Sequence, residues 1–495
     1  MKTQIHTQWE LKFATVTFGI FSALVNLANA ADPHTNSWLT TYAGQYARVY
    51  LTDTDKTNGT STTTWSRGSL SQSLPVYSGV REIYYSASWV YIRSAGLGIH
   101  TMGPWYTTTN HTALFQNVPV NTKVFYRIPR SPTTNGTHAL TGLGAIGYFV
   151  DGVAMYDSRD AFYWNGTTEA NGAGSWNRDA YVNESQTFDP AYAHQPGAGQ
   201  YHYHANAPAL RYLLGDHMDF NSTNKMYTES TNPVTQHSAI LGWVRDGFPI
   251  YGPYGYSNPT NPASGLRRMV SGYVARNGLN GTDNLSTNGA NRSAIPAWAT
   301  RAGETAMAGP PVSTTYPFGR YLEDNAYLGD LTNSATGSNY VLGVDFDLNE
   351  YNTRWCVTPE FPAGTWAYFT CITSNGAPAF PYNIGRTYCG NTGVNVGGGT
   401  VTTLGETVTT NYLGGANSVL TIAAPIVSNN VVTLTWTATE GGTYSVATSG
   451  DLATWSTNST GITALLNQGK TTTAMVATNQ FFKVTRTALI TYDTN

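Results

Sequence analysis

Residues 201–204 read Tyr-His-Tyr-His. Side chains alternate along an extended chain, so His202 and His204 share one face while Tyr201 and Tyr203 share the other. Two imidazoles at that spacing can both reach one metal ion. Neutral imidazole suits copper, zinc, iron and nickel, and copper binds such donors most tightly among the common divalent ions. His194 before the pair and His237 after it complete a nitrogen-rich candidate set of His202, His204, His237 and His194, drawn from separated segments. His100 and His217 are reserve ligands, and Asp216 or Asp219 could orient a ligating ring from behind. Copper is the first expectation and zinc the second. A site with an open coordination position would allow redox chemistry; a closed one would make the protein a binder, and the residues alone leave enzyme or non-enzyme open. The competing reading makes the histidines ordinary sheet residues bonded to backbone, in an adhesion or carbohydrate-binding protein whose Tyr and Trp stack on a surface glycan.

The elements that must position these residues are short. Residues 147–156 and 242–251 align as Gly-aromatic-x-x-Asp-Gly-x-x-apolar-Tyr. Asp-Gly between apolar runs signals a hairpin, expected here as a type I′ turn with positive φ at both central residues. The two hairpins are either a duplication or one turn solution used twice, and Asp151 and Asp246 read as turn formers rather than catalysts. Pro249 cannot donate to a ladder, which places its strand at an edge or ends its pairing. Between the hairpins, residues 157–238 form a loop-rich insertion that carries the histidines. Pro196-Gly197-Ala198-Gly199 turns the chain just before the motif, and Asn206-Ala207-Pro208 caps a short helix that ends at Gly215. Tyr201 and Tyr203 are expected to pack beneath the sheet.

Residues 199–206, His237 to Gly242 and the run Asp246-Gly247-Phe248-Pro249-Ile250-Tyr251-Gly252-Pro253-Tyr254-Gly255-Tyr256 together resemble the YHYH protein family. The hairpin at 146–156, the segment His100 to Trp105, and Phe346 to Tyr351 through Tyr382 are similar to further parts of exported bacterial members. The resemblance covers about residues 77–390. It implies an exported, β-rich, histidine-containing domain and supplies no substrate.

The start of the chain points to export. Lys2 and Lys12 bound a charged region, residues 13–27 are mostly apolar, and Ala28-Asn29-Ala30 fits a small-x-small cleavage site. Residues 1–30 are therefore expected to be a signal peptide, leaving a secreted, periplasmic or cell-surface product with no transmembrane span in the mature chain. Charged residues make up only 11% and Gly, Thr, Asn and Tyr are abundant, which favours strands and turns. A net charge of −3 without a Lys/Arg cluster gives no reason to expect nucleic acid. Cys356, Cys371 and Cys389 allow one disulfide at most, with Cys356–Cys371 feasible as a cross-strand bridge and three packed thiols as the alternative. Residues 142–147 fit G-x-G-x-x-G but lead into a strand, not a helix, and 345–356 departs from a calcium loop at both the glycine and the final glutamate.

The fold class is expected to be mainly β: a YHYH-type domain at 31–390, a linker with weak strands at 391–424, and a small fibronectin- or immunoglobulin-like sandwich at 425–495. Strands at 432–438, 443–448 and 481–487 carry that last assignment. Trp436 and Trp455 are expected in its core.

Overall fold

The computed structural model describes residues 32–134, 136–392, 403–415, 420–475 and 480–488, so the expected signal peptide lies outside the described residues. The protein is mainly β, with many small sheets and a few short helices. Among the described residues no helix is long and apolar enough to cross a membrane.

An eight-stranded sheet carries the histidine motif. Its strands are β1 (Gly147–Phe149), β2 (Ala154–Met155), β3 (Ala193–His194), β4 (His202–Tyr203), β5 (Ile240–Val244), β6 (Pro249–Tyr251), β7 (Thr353–Cys356) and β8 (Thr365–Phe369). Their order is β3-β4-β2-β1-β5-β6-β8-β7. This order is a palindrome. β4 runs parallel to β2 and β8 parallel to β6, while every other neighbouring pair is antiparallel. The two hairpins meet at the centre, where Tyr148 lies opposite Trp243, its counterpart in the sequence repeat. Gly147 and Gly242 flank that pair, and a Cβ on either would sit 2.5 or 2.7 Å from a carbonyl oxygen of the facing strand.

The correspondence runs well past the hairpins. Tyr203 pairs with Met155 as Tyr368 pairs with Ile250. Tyr192 and Asn352, each just before an edge strand, have φ of 59° and 65°. Their carbonyls accept from His204 N–H at 3.3 Å and Phe369 N–H at 3.4 Å. A four-strand unit is therefore repeated, which a single recurring turn would not produce.

Each Asp-Gly hairpin forms, but not with a type I′ turn. Only the glycines have positive φ, 81° at Gly152 and 90° at Gly247. Gly152 N–H donates to Phe149 O and Phe149 N–H to Val153 O, the pattern of a three-residue loop closed by a glycine bulge. The reason lies in the Asp side chains, which turn back to accept from Val153 N–H at 3.2 Å and Phe248 N–H at 3.2 Å. Pro249 is not at an edge: it opens the interior strand β6, a first-residue position where a missing donor is tolerated.

A four-stranded sheet of Val80–Tyr85, Trp89–Ser94, Val124–Pro129 and Thr409–Leu413 shares the main core with the eight-stranded one. Tyr126 meets Tyr148 between them at a ring separation of 4.3 Å. The edge strand Thr409–Leu413 comes from the span expected to be a linker. Cys356, Cys371 and Cys389 are buried and unbridged. The register explains it: Cys356 faces Thr365, six residues short of Cys371 and up to roughly 20 Å away along an extended chain.

At the C-terminal end, Ile426–Ser428, Val431–Thr437 and Gln468–Ala474 form one three-stranded sheet, and Ser456–Thr463, Thr443–Ser449 and Phe481–Ala488 form another. They enclose their own core around Leu434, Trp436, Tyr444 and Val446. Trp455 differs from expectation; it is half-buried at the surface with Lys483 over its ring at 5.0 Å.

Candidate metal centre

β4 is only two residues long, yet it fixes four side chains on two faces. On one face Tyr201 donates to Asp189 Oδ2 at 2.7 Å and Tyr203 to Asp151 Oδ2 at 2.9 Å. His100 lies behind them, its Nε2 3.1 Å from the Tyr201 hydroxyl, and burial lowers its pKa to about 3. The two tyrosines thus anchor the strand to buried carboxylates. This sets the opposite face, where His202 and His204 point together. β3 pairs His194 directly opposite His202, so three rings converge.

Their outer nitrogens decide the chemistry of their inner ones. His202 Nδ1 lies 2.9 Å from Gln200 O and His204 Nδ1 3.4 Å from Asp157 O, so each must carry the proton there. His194 Nδ1 lies 2.6 Å from Thr187 Oγ1, whose own hydrogen is spent on Glu184 O at 2.7 Å, so His194 donates as well. In the neutral rings the three Nε2 atoms then carry lone pairs that face inward. His202 Nε2 and His204 Nε2 are 2.9 Å apart. Two such acceptors repel unless a cation lies between them.

At His194 and His202 protonation is a poor source of that cation. Burial, followed by the charge of neighbouring histidines, pushes His194 down to about 3 and His202 well below its ordinary range. Glu184 adds an anionic oxygen donor to the cluster, which a cation at its centre would balance. Its Oε2 lies 3.3 Å from His204 Nε2 and 3.5 Å from His194 Nε2. Burial pushes its pKa up, but the bond to His204 and the charges of His204, His194 and Arg178 outweigh this and hold it below its usual value.

Potential ligand atoms of His194, His202 and His204 all lie within 4.8 Å of one another. Tetrahedral ligands about 2.0–2.1 Å from a zinc-sized ion stand about 3.3 Å apart, and the separations of 2.9, 3.3 and 3.5 Å bracket that value. The rings are also held in place. Tyr156 stacks on His202 at 3.7 Å and Phe188 on His204 at 5.4 Å, while Phe188 meets His194 edge-on at 4.9 Å.

A family model described as YHYH protein matches residues 125–380, which is more than half of the chain. The chain belongs to the YHYH protein family. The matched span is shorter at both ends than the resemblance visible in the residues, and it holds Glu184, His194, His202 and His204. No curated protein and no solved structure is significantly similar to the chain. The YHYH motif is accounted for by its two faces: tyrosines clamp the strand from beneath, and histidines converge above it.

Not every residue grouped by sequence joins them. His237 packs against Tyr251 and Tyr256 at 5.0 Å each and Phe369 at 6.0 Å, in the other half of the sheet. His100 sits on the tyrosine face, and His217 lies edge-on to Tyr254. Asp216 is taken by Arg211 at 2.6 Å and Ser238 at 2.8 Å, and Asp219 is exposed on Met218–Asn221, so neither orients a ligating ring. The residue that sequence reading missed is Glu184. It ends the five-residue helix α1 (Ala180–Glu184), whose start is capped by Asp179, and no short spacing ties it to His194.

Proposed function

We propose that His194, His202 and His204, completed by Glu184, hold one divalent first-row transition metal, and that the chain is an exported metal-binding protein. The observation that carries this is the meeting of three lone-pair nitrogens, each with its other nitrogen bonded outward, around one carboxylate. Outer hydrogen bonds of that kind fix the tautomer and orientation of ligating histidines. Three imidazoles and a carboxylate, with no sulfur, suit copper(II) or zinc, and copper(II) is favoured on affinity. The histidines are buried to between 2% and 7% exposure, with only Glu184 partly reaching solvent. Such closure favours holding an ion over turning over a substrate.

The test is metal analysis of the full-length mature protein after dialysis against copper(II) or zinc, with electron paramagnetic resonance on the copper form. About one ion per chain is expected, with a nitrogen-rich signal, and H202A and H204A should lose it. Wild-type protein that retains no metal, or variants that retain as much as wild type, would overturn the reading. In the C-terminal module the strand order of the two sheets is similar to the A-B-E and C′-C-F arrangement of fibronectin type III sandwiches, supporting a display or tethering module at 425–495 beyond a YHYH-type domain that draws its edge strand Thr409–Leu413 from the stretch at 391–424.

A further inference from the structure

The outer edge of the second half of the sheet carries a feature unrelated to the histidines. β7 and β8 place Trp355 directly opposite Trp366. Their rings stand 6.3 Å apart at 69°, and Trp355 is 48% exposed. An apolar ring left in water at a sheet edge is costly unless something covers it. The ring is also held in place: Gly364, at φ +92°, passes beneath it where a Cβ would lie 2.6 Å from the indole. The two indoles and Phe361 line an open cavity of about 450 Å³. Thr133, Thr134, Arg130 and His34 bring polar groups to the same lining, His34 lying edge-on to Phe361 at 6.2 Å.

The charge of those polar groups selects the ligand. Arg130 donates to Asp32 through Nε at 2.9 Å and Nη2 at 2.6 Å, and His34 Nδ1 lies 3.1 Å from the same carboxyl group. The cation is already matched by an anion, so the lining offers hydroxyls and carbonyls without a net field for a charged guest. The geometry points to a binding site for a neutral saccharide, one pyranose stacking its C–H face on the half-exposed Trp355 with Trp366 at its edge, while its hydroxyls meet Thr133, Thr134 and Arg130. A pyranose has both surfaces: polarised C–H groups that the negative face of an aromatic ring attracts, and a rim of hydroxyls that donate and accept. The volume lies within the usual range of small-ligand pockets.

The full chain is titrated with neutral hexasaccharides of glucose in β-1,4 and β-1,3 linkage, mannose, xylose and N-acetylglucosamine, by calorimetry and tryptophan fluorescence. Oligogalacturonate and a polyproline peptide are titrated alongside. Expected is saturable binding of at least one neutral hexasaccharide, unchanged between low and high salt, and weakened at least about tenfold by W355A. W366F, which keeps a ring but shrinks the platform, should weaken it less, and T133V less again, with metal content unchanged in all three. Thermal melts of W355A check that this half-exposed residue leaves the fold intact. Failure of every neutral hexasaccharide to bind overturns the assignment, as does W355A binding like wild type. Binding of only the anionic or the proline-rich probe overturns it equally, because the occupant is then of another class.

Discussion

The two halves of the central sheet share one backbone and differ in what they present. His194, His202 and His204 in the first half occupy the strand positions of Arg354, Ala367 and Phe369 in the second. What both halves keep is the anchor. Tyr203 reaches Asp151 at 2.9 Å and Tyr368 reaches Asp246 at 2.7 Å, each tying the parallel strand to the Asp-Gly turn. Above that anchor the first half gathers lone pairs around Glu184, whereas the second carries a cation of its own, Arg354, 3.5 Å from Asp347. Both halves therefore share the buried Asp–Tyr pairs, and they differ at three buried positions on the opposite face of the strands.

The largest expected effect comes from making the first half resemble the second. H202A/H204F places the second half's residues at the two histidines of the motif and leaves Tyr201, Tyr203 and Asp151 untouched. Loss of a supporting hydrogen bond alone lowers metal affinity about 10–100-fold, so losing two ligands should exceed about 100-fold. Zinc or copper should then raise the melting temperature of wild type and leave that of the variant unmoved, because an ion stabilises only a fold that binds it. A double variant that still gains stability from the metal would place the site elsewhere.

Much of this contrast was legible in the residues, and the rest was hidden for physical reasons. The two-residue alternation of Tyr-His-Tyr-His gave the shared face of His202 and His204, and the Asp-Gly pairs gave both hairpins. The C-terminal strands followed their alternation to within a residue or two. Parallel pairing of β4 with β2 was not readable, since it joins segments 48 residues apart, as in His202 with Ala154, without a local signal. Glu184 was hidden for the same reason. His237 was grouped by proximity along the chain, but β5 carries it across the centre of the sheet into the other half. The turn type was misjudged because Asp-Gly also suits a glycine bulge when the carboxylate can take the next free N–H.

The second effect tests whether the anchors are equivalent. Burial raises both Asp151 and Asp246 from 3.8 to about 6, against the opposing bonds from Tyr203 and Tyr368. A carboxyl whose folded pKa is raised stabilises fully below its unfolded value and loses that contribution as pH rises through the folded value. The gap corresponds to about 3 kcal/mol for each Asp. Relative to D151N, and separately to D246N, wild type should therefore lose about that much stability between pH 4 and pH 7, measured by denaturant unfolding. Comparing each pair at the same pH cancels the buried histidines, which titrate in the opposite sense. A slope at one Asp only would show that the halves are not electrostatic equivalents.

A smaller and unequal effect is expected from the tyrosines. Asp246 Oδ2 accepts from Tyr368 and also from Gly390 N–H at 2.8 Å, whereas Tyr203 is the hydroxyl donor to Asp151 Oδ2. Y203F strands a buried carboxylate oxygen and should cost about 1–3 kcal/mol; Y368F leaves one donor in place and should cost less. Reversal of that order would mean that the Gly390 bond contributes little.

The smallest effect on metal belongs to His237, and it separates the halves most cleanly. Its Nδ1 donates to Ser238 O at 2.8 Å, and its ring rests against Tyr251, Tyr256 and Phe369, the last being the counterpart of His204. A histidine so placed contributes packing to the second half and no ligand to the first. H237A should lower unfolding stability by about 1–3 kcal/mol through lost contacts, yet bind copper or zinc with wild-type stoichiometry and affinity. If H237A loses metal as H204A does, the ion spans both halves of the sheet, and the division between a ligating unit and an arginine-filled one fails.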